Sequence, residues 1–182
     1  MHDGTLFRRL TLPAILVSLA LLLSLIERLF PLELLLPVPG LRLGLPNLVT
    51  LFALWALPVK TALVIVVLRC VLACLFGGSF SALFFSLSGG LLALLTMWAL
   101  LPLEGGRLSM AGISVAGAAA HNVGQLLAAR VVMGTPAVFG YLPFLLAGSV
   151  LTGLATGVTF LALRPALSRT PWLRALRGEK EG

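Results

Sequence analysis

The stretch Leu91–Leu101, LLALLTMWALL, is apolar on every face that a helix would present. Comparable runs recur between Leu10 and Leu163, separated by short groups of Gly, Pro or charged residues. Membrane-spanning strands would alternate apolar and polar residues, so these runs predict helices. The 182 residues are 59% hydrophobic and 10% charged, with a mean hydropathy of +1.10, whereas soluble domains carry roughly 25% charged residues. We therefore expect an all-α, polytopic membrane protein.

The apolar runs predict about six transmembrane helices in one bundle domain over residues 1–167. A span needs about 20 residues to cross about 30 Å of hydrocarbon, so six spans use roughly 120 residues. The second run is short and is bracketed by Pro46 and Pro58, so a bent or re-entrant segment and a five-helix count form the alternative. The predicted helices are Leu10–Leu29, Leu45–Leu57, Val59–Phe76, Ser81–Leu101, Met110–Val132 and Ala137–Leu163.

The distribution of basic residues predicts the orientation. No small-residue cleavage site follows the first run before Glu27, so we expect this run to be retained as an anchor. An inside amino terminus puts most basic residues in cytoplasmic segments, which favours N-in and C-in. Those residues are Arg8, Arg9, Lys60, Arg107, Arg164, Arg169, Arg174, Arg177 and Lys180 inside, against Arg28, Arg42 and Arg130 outside.

Two segments flank or interrupt the bundle. The loop from Glu27 to Pro46 is rich in Leu and Pro, and we expect it to fold back as an external cap. Residues 168–182 form a basic cytoplasmic tail that could lie at the membrane surface around Trp172. The net charge of +7 thus comes mostly from basic residues in the cytoplasmic tail and in the loops that set the orientation of the chain. No nucleic-acid motif accompanies it.

The residues required for several kinds of catalysis are missing. Asp3 is the only Asp, so no Asp-rich cluster can hold magnesium against a diphosphate. Neither Lys60 nor Lys180 lies in a Walker A motif. Two His and two Cys give no zinc set of usual spacing, and we expect Cys70 and Cys74 to pack as small apolar groups. The sequence predicts no enzyme, no metal and no cofactor.

Arg69 is the sharpest candidate site residue, because it follows VIVVL within the third predicted helix. An unpaired charge at that depth costs on the order of 3 kcal/mol, so it must meet a partner, water or a ligand. A structural arginine, paired with helix-end carbonyls or reaching one membrane surface, is the alternative to an anion-binding residue.

The fifth predicted helix carries a second polar group within residues 118–125, AAAHNVGQ. His121 and Gln125 share a face at i, i+4, and Asn122 reaches Gln125 at i, i+3. Asn47 in the second helix and Ser86 in the fourth could complete a substrate site with them. Hydrogen bonding between helices is the competing interpretation.

Small residues recur at four-residue spacing in the first and last helices. Gly153 and Gly157 in the last helix predict close helix packing. The first helix has a comparable series at Ala14, Ser18, Ala20 and Ser24. Its partner helix could lie within this chain or in another subunit.

Several of these motifs together resemble one family over roughly Gly44 to Gly157. It is the Gx transporter family, often labelled heptaprenyl diphosphate synthase component I. The resemblance rests on GLPNLVT (44–50), Lys60, LR (68–69), LFGG (75–78), SLSGG (86–90), SVAGA (114–118), HNVGQ (121–125) and GTP (134–136).

This resemblance implies a fold and partners. Such proteins are similar to the S components of energy-coupling-factor transporters, which are six-helix, multi-pass proteins of the prokaryotic cell membrane that capture small molecules. The resemblance implies a transmembrane coupling subunit and ATPase subunits as partners, with the small residues of the first helix facing the coupling subunit. That assigns partner docking to Ala14, Ser18, Ala20 and Ser24.

Three functions remain open at this point. The leading hypothesis is a non-enzymatic substrate-capture subunit of an importer, whose site is formed by the outer ends of helices four to six and the loop from Glu27 to Pro46. In it Arg69 meets an anionic group, and His121, Asn122 and Gln125 supply hydrogen bonds. The second is a non-catalytic membrane subunit that assists a polyprenyl (heptaprenyl) diphosphate synthase, with the prenyl chain in an apolar cavity and the head group at Arg69. The third is a structural subunit of a larger membrane complex.

Overall fold

The computed structural model describes residues 3–29 and 44–170, with side chains from residue 10 onward. This part of the chain is helical, without a β-strand. The six α-helices are α1 (Asp3–Glu27), α2 (Asn47–Ala56), α3 (Val59–Leu75), α4 (Phe80–Leu100), α5 (Met110–Met133) and α6 (Leu142–Ser168). Short 3-10 helices at Leu101–Leu103 and Pro136–Tyr141 precede α5 and α6.

The all-helical prediction is confirmed, and each predicted helix has a counterpart. The main differences are at α1, which begins at Asp3 rather than Leu10, and at α6, which ends at Ser168 rather than Leu163. Helix α6 also begins at Leu142 rather than Ala137, because Pro136–Tyr141 forms a 3-10 helix. Three helical segments are long and apolar enough to cross a membrane, namely Leu10–Glu27, Phe80–Leu103 and Pro136–Ser168. The other helices are shorter or more polar, so the count of six spans stays a prediction.

The helix ends follow from local side-chain chemistry. Ser79 caps α4 by accepting a hydrogen bond from the Ala82 amide at 3.1 Å, and Ser109 caps α5 in the same way through Gly112. Gly134 ends α5 in the left-handed conformation, with φ 66°. The starts of α4 and α5 and the end of α5 are therefore encoded by the residues that flank them.

Interhelical contacts define the relative directions of the helices. Gly153 of α6 lies against Val115 of α5, while Leu145 of α6 lies near Asn122, so α5 and α6 are antiparallel. The pairs α4–α5 and α3–α4 are also antiparallel, whereas α1 and α3 run parallel. The carboxyl ends of α1, α3 and α5 consequently lie at the same end of the bundle as the amino ends of α2, α4 and α6.

Residues 30–43 and 171–182 lie outside the described part of the chain. The predicted external cap and the predicted basic tail fall largely on those residues. Their predictions stand untested, as does the single domain over residues 1–167.

Glycines allow α5 and α6 to approach each other closely. A Cβ added at Gly153 would lie 2.5 Å from the Val115 Cα and 2.9 Å from its backbone nitrogen. Neither atom can move without displacing α5. At Gly148, five residues earlier on the same helix, a Cβ would meet nothing within 4 Å.

We predict that Gly153→Ala lowers the free energy of unfolding by about 1–3 kcal/mol, as overpacking does elsewhere. Gly148→Ala is the matched control, and it should be neutral or raise stability by about 0.5–1 kcal/mol, because Ala is the better helix former. Melting temperatures in one detergent measure both effects. Equal melting temperatures for the two variants would contradict the close α5–α6 contact.

Candidate functional site

Arg69 lies inside the bundle with 2% of its surface exposed. Its Nη1 atom donates to the Ser24 hydroxyl on α1 at 3.3 Å, while Nε and Nη2 have no hydrogen-bond partner in the described part of the chain. These two nitrogens form the edge of a guanidinium that binds a carboxylate or phosphate through two parallel hydrogen bonds. Among the described residues Arg69 forms no ion pair, so a buried cation presents a free bidentate edge.

Two consecutive glycines of α4 bring Arg69 to the level of the α5 polar group. A Cβ at Gly90 would lie 2.8 Å from Arg69 Nη2, and a Cβ at Gly89 would lie 3.0 Å from both His121 Cε1 and Gln125 Cγ. Neighbouring Cα atoms are about 3.8 Å apart. Arg69 and the predicted His121 group therefore pack against adjacent residues of α4.

The segment that leads into α2 packs against Asn47 and His121. Glu27 is 3% exposed, and its Oε1 atom accepts hydrogen bonds from the backbone nitrogens of Gly44 and Leu45. Gly44 has φ 85°, and a Cβ there would lie 2.8 Å from Asn47 Nδ2 and 3.3 Å from His121 Cδ2. The end of α1 thus holds the amino end of α2 against α5.

These contacts link five helices around one group of buried polar side chains, which we call the Arg69 cluster. It draws side chains from α1 to α5, each at most 3% exposed. Several polar atoms in it have no hydrogen-bond partner, including both amide atoms of Asn47 and the Ser86 hydroxyl. Burying such atoms unpaired costs about 1–3 kcal/mol each. The cluster consists of Ser24, Asn47, Arg69, Ser86, His121 and Gln125.

The cluster combines one cation with amides and hydroxyls. The buried carboxylate beside it, Glu27, accepts hydrogen bonds from the Gly44 and Leu45 amides and forms no ion pair with Arg69. Within the described residues no group of three or more His, Cys, Asp and Glu side chains could hold a metal ion. Its side chains can neutralise and orient an anionic molecule.

Asn122 lies beside the cluster and joins α5 to α6. Its Nδ2 donates to the Leu145 carbonyl at 3.0 Å and to the Ser149 hydroxyl at 2.9 Å, while Oδ1 has no partner. For Asn122, these bonds match the competing interpretation from the sequence, which was hydrogen bonding between helices. A direct role for Asn122 in ligand binding stays a prediction.

The four predicted docking residues of α1 divide into two pairs. Ala14 and Ser18 are exposed, whereas Ala20 is 1% and Ser24 0% exposed. Ser24 receives a hydrogen bond from Arg69 of the same chain. Only Ala14 and Ser18 are placed where another subunit could reach them.

Two adjacent charges at the end of α1 were not among the predicted site residues. Glu27 holds the start of α2, and Arg28 donates to the Phe76 carbonyl at 2.9 Å and to the Ala73 carbonyl, so it caps the carboxyl end of α3. The available signal was a charged pair directly after an apolar run. The sequence alone does not show what these two charges contact, so they indicate only the end of the first helix.

Comparison with known proteins gives one family match. A family model described as heptaprenyl diphosphate synthase component I matches residues 16–163. No curated protein and no solved structure matches the chain. The matched range contains every residue of the Arg69 cluster.

We predict that Glu27→Ala releases the amino end of α2, because the Gly44 and Leu45 amides lose their acceptor. Hydrogen exchange of peptides covering residues 44–48 should become at least about tenfold faster, which corresponds to about 1.4 kcal/mol of lost local stability.

Glu27→Gln is the matched control, because its side-chain carbonyl can still accept both bonds. It should exchange much closer to the unchanged protein. Unchanged exchange in Glu27→Ala would exclude the Glu27 contact as the anchor of α2.

Proposed function

The chain belongs to the heptaprenyl diphosphate synthase component I family, and from this premise we propose that it is a substrate-binding, S component-like subunit of an energy-coupling-factor-type importer. It is a membrane protein and not itself a catalytic component. Its task in this proposal is to capture a small molecule that carries an anionic group.

The observation that carries the proposal is the free edge of Arg69. A buried cation in a membrane protein is costly and marks a ligand or ion pathway by default. The Ser24 hydroxyl satisfies one nitrogen of the guanidinium but contributes no counter-charge. A ligand carboxylate or phosphate supplies a negative charge and acceptors for Nε and Nη2. Binding therefore offsets the cost of burying the Arg69 charge.

The surrounding groups suit the rest of such a ligand. Asn47 offers a donor and an acceptor that have no partners among residues 3–29 and 44–170, and Ser86 offers a hydroxyl. His121 and Gln125 pack against Gly89, the neighbour of the Gly90 that packs against Arg69. We assign them the directional hydrogen bonds that distinguish one ligand from another.

In the predicted N-in and C-in orientation, this site lies on the outer side. With N-in and C-in topology and six spans of the cell membrane, the carboxyl end of α1 and the amino end of α2 face outward. The Arg69 cluster then lies in the outer half of the bundle, where an importer meets its substrate. In this arrangement the bundle of residues 1–167 is the transport domain and residues 168–182 are its cytoplasmic tail.

The importer proposal requires partners that this chain lacks. A transmembrane coupling subunit and ATPase subunits supply energy, and the exposed Ala14 and Ser18 of α1 are the proposed contacts with the coupling subunit. Small residues at four-residue spacing let a partner helix approach closely.

The family description favours a second candidate function. Component I implies a second component of the synthase, so the chain would act as the non-catalytic membrane subunit that assists a soluble polyprenyl (heptaprenyl) diphosphate synthase. Here the anionic group at Arg69 would be a diphosphate. Both candidates share the anion-binding site and differ in the protein partner.

We predict that Arg69→Gln weakens binding of the native ligand at least about tenfold, because a charge-assisted bidentate contact is worth about 1.5–3 kcal/mol. Native mass spectrometry of protein extracted gently from its own membranes measures the bound fraction. Arg130→Gln is the control, since Arg130 is exposed at the end of α5.

Gly90→Ala separates binding from folding. Its added methyl would displace the flexible Nη2 end of Arg69, so the ligand should be lost while the melting temperature falls little. Ligand retained in both Arg69→Gln and Gly90→Ala would rule out the Arg69 cluster as the site.

The same spectra distinguish the two candidate functions. We expect a complex with a membrane coupling protein and ATPases if the chain is an importer subunit. A complex with only a soluble subunit of prenyltransferase size, and prenyl transfer that needs both proteins, would establish the second candidate instead.

A further inference from the structure

A narrow crevice lies between α3 and α4 at the end of the bundle that holds the Arg69 cluster. The space between its walls is about 140 Å³ and is too narrow to hold a water molecule. Arg28, which directly follows α1, lines the crevice. Most of the other lining side chains are small, among them Cys70, Ala73 and Cys74 of α3 and Ala82 of α4. The crevice is thus a closed gap between two helices with a cation at its border.

The inner end of the crevice is part of the Arg69 cluster. Ser86 lines the crevice and is 2% exposed, and its hydroxyl has no hydrogen-bond partner in the described part of the chain. Along α4, Ser86 lies about one helical turn before Gly90, which packs against Arg69. On α3, Cys70 lines the crevice and directly follows Arg69. A molecule in the crevice would therefore meet a buried hydroxyl on its way to Arg69.

The other end of the crevice reaches the surface. Cys74, Gly78 and Ala82 line it there and are partly exposed, in contrast to the two buried residues at its inner end. From Ala82 to Gly90, α4 advances by roughly 12 Å. The crevice therefore connects the surface at the carboxyl end of α3 with the level of Arg69.

Arg28 lies at this surface end and has no counter-charge in the described part of the chain. Its guanidinium donates to the Ala73 and Phe76 carbonyls, which are neutral, and forms no ion pair with a described carboxylate. The neighbouring carboxylate, Glu27, instead accepts hydrogen bonds from two backbone amides of the segment before α2. A guanidinium carries five N–H donors, so these two bonds leave Arg28 able to bind an anion.

Arg28 and Arg69 lie at successive levels near the carboxyl end of α1. Ser24 accepts a hydrogen bond from Arg69, and Arg28 follows Ser24 by four residues, which is about one helical turn or roughly 6 Å. Two cations therefore border one path, the first near the surface and the second in the interior. Positive charges arranged in this way raise the local concentration of anions and lower that of cations.

We propose that this crevice is the route by which an anionic molecule reaches Arg69, and that Arg28 selects for negative charge at its entrance. The inference rests on the proposed substrate-binding function and names the access path of that site. An anionic group meets the Arg28 charge first, then the Ser86 hydroxyl and then the free edge of Arg69. Passage requires α3 and α4 to separate locally, and walls of small side chains lose little packing when they do.

The crevice contains both cysteines of the chain, so thiol modification reports access to it. In a Cys70→Ala variant, Cys74 at the entrance is the only thiol. Its reaction rate is measured with the anionic reagent sulfonatoethyl methanethiosulfonate and with the cationic trimethylammonioethyl analogue, each relative to the rate of that reagent with 2-mercaptoethanol. Mass spectrometry of the intact, full-length protein in a nonionic detergent follows the product. The ratio of the two relative rates is the charge preference of the entrance.

We expect Arg28→Gln to lower the preference for the anionic reagent at least about threefold, because the Arg28 charge attracts one reagent and repels the other. Arg28→Lys should retain the preference, which a merely structural role of Arg28 would not predict. Arg130→Gln is the matched control and should leave the preference unchanged, since Arg130 is exposed at the same end of the bundle and does not line the crevice. An unchanged preference in Arg28→Gln would overturn the role of Arg28.

A second experiment tests whether the crevice leads to the cluster, in a variant whose two native cysteines are replaced by alanine. Ser86→Cys then provides a thiol at the inner end of the crevice. Ala128→Cys is the control at equal burial, since Ala128 of α5 is also 2% exposed and does not line the crevice. We expect the anionic reagent to modify Ser86→Cys at least about tenfold faster than Ala128→Cys, because local separation of α3 and α4 exposes only the first thiol. Adding Arg28→Gln should slow the first reaction and not the second.

The outcomes distinguish the route from the site. Equal rates for Ser86→Cys and Ala128→Cys would overturn the route, while loss of the native ligand in Arg69→Gln would still support the site. If Arg69→Gln keeps its ligand, the proposed function fails, but the reagent experiments need no ligand and still measure the path. A charge preference at Cys74 that depends on Arg28, together with fast reaction of Ser86→Cys, supports the route in either case.

Discussion

A buried guanidinium is the constraint around which one end of this bundle is organised. Arg69 lies in the interior with a free edge, and the membrane offers no water in its hydrocarbon region to relieve that cost. The surrounding residues accommodate the charge without neutralising it. Ser24 holds one nitrogen, and Gly90 provides the room for another. In the proposed function, this cost is offset when an anion binds.

Glycine on α4 determines what can share the space with Arg69. Any side chain at Gly89 would separate α4 from His121 and Gln125, and any side chain at Gly90 would displace Arg69. The two glycines thereby bring side chains of α3 and α5 to the same level of the bundle. Glu27 completes the arrangement from α1 by holding the backbone of Gly44 and Leu45. The site is thus built from close backbone approach as much as from its polar side chains.

The sequence predicted where the helices and the buried polar residues lie better than which of those residues lie close together. Apolar runs bounded by Pro and Gly placed all six helices, because local composition decides where a membrane helix can form. Arg69 and His121 stood out, since polar groups in apolar runs are costly wherever they point. Whether they meet depends on helix rotation, which no local pattern encodes. The same limit explains the α1 series, in which Ala20 and Ser24 proved to be buried against the rest of the chain while Ala14 and Ser18 remained exposed.

The short helix α2 borders both the Arg69 cluster and an apolar groove between α1, α2 and α6. Asn47 at its first turn belongs to the Arg69 cluster, while its neighbour Leu48 and Phe52 line the groove. Its amino end is held by Glu27, and its carboxyl end packs through Trp55 against Phe160 of α6. Contacts with α1 and α6 therefore fix the position of α2 at both of its ends.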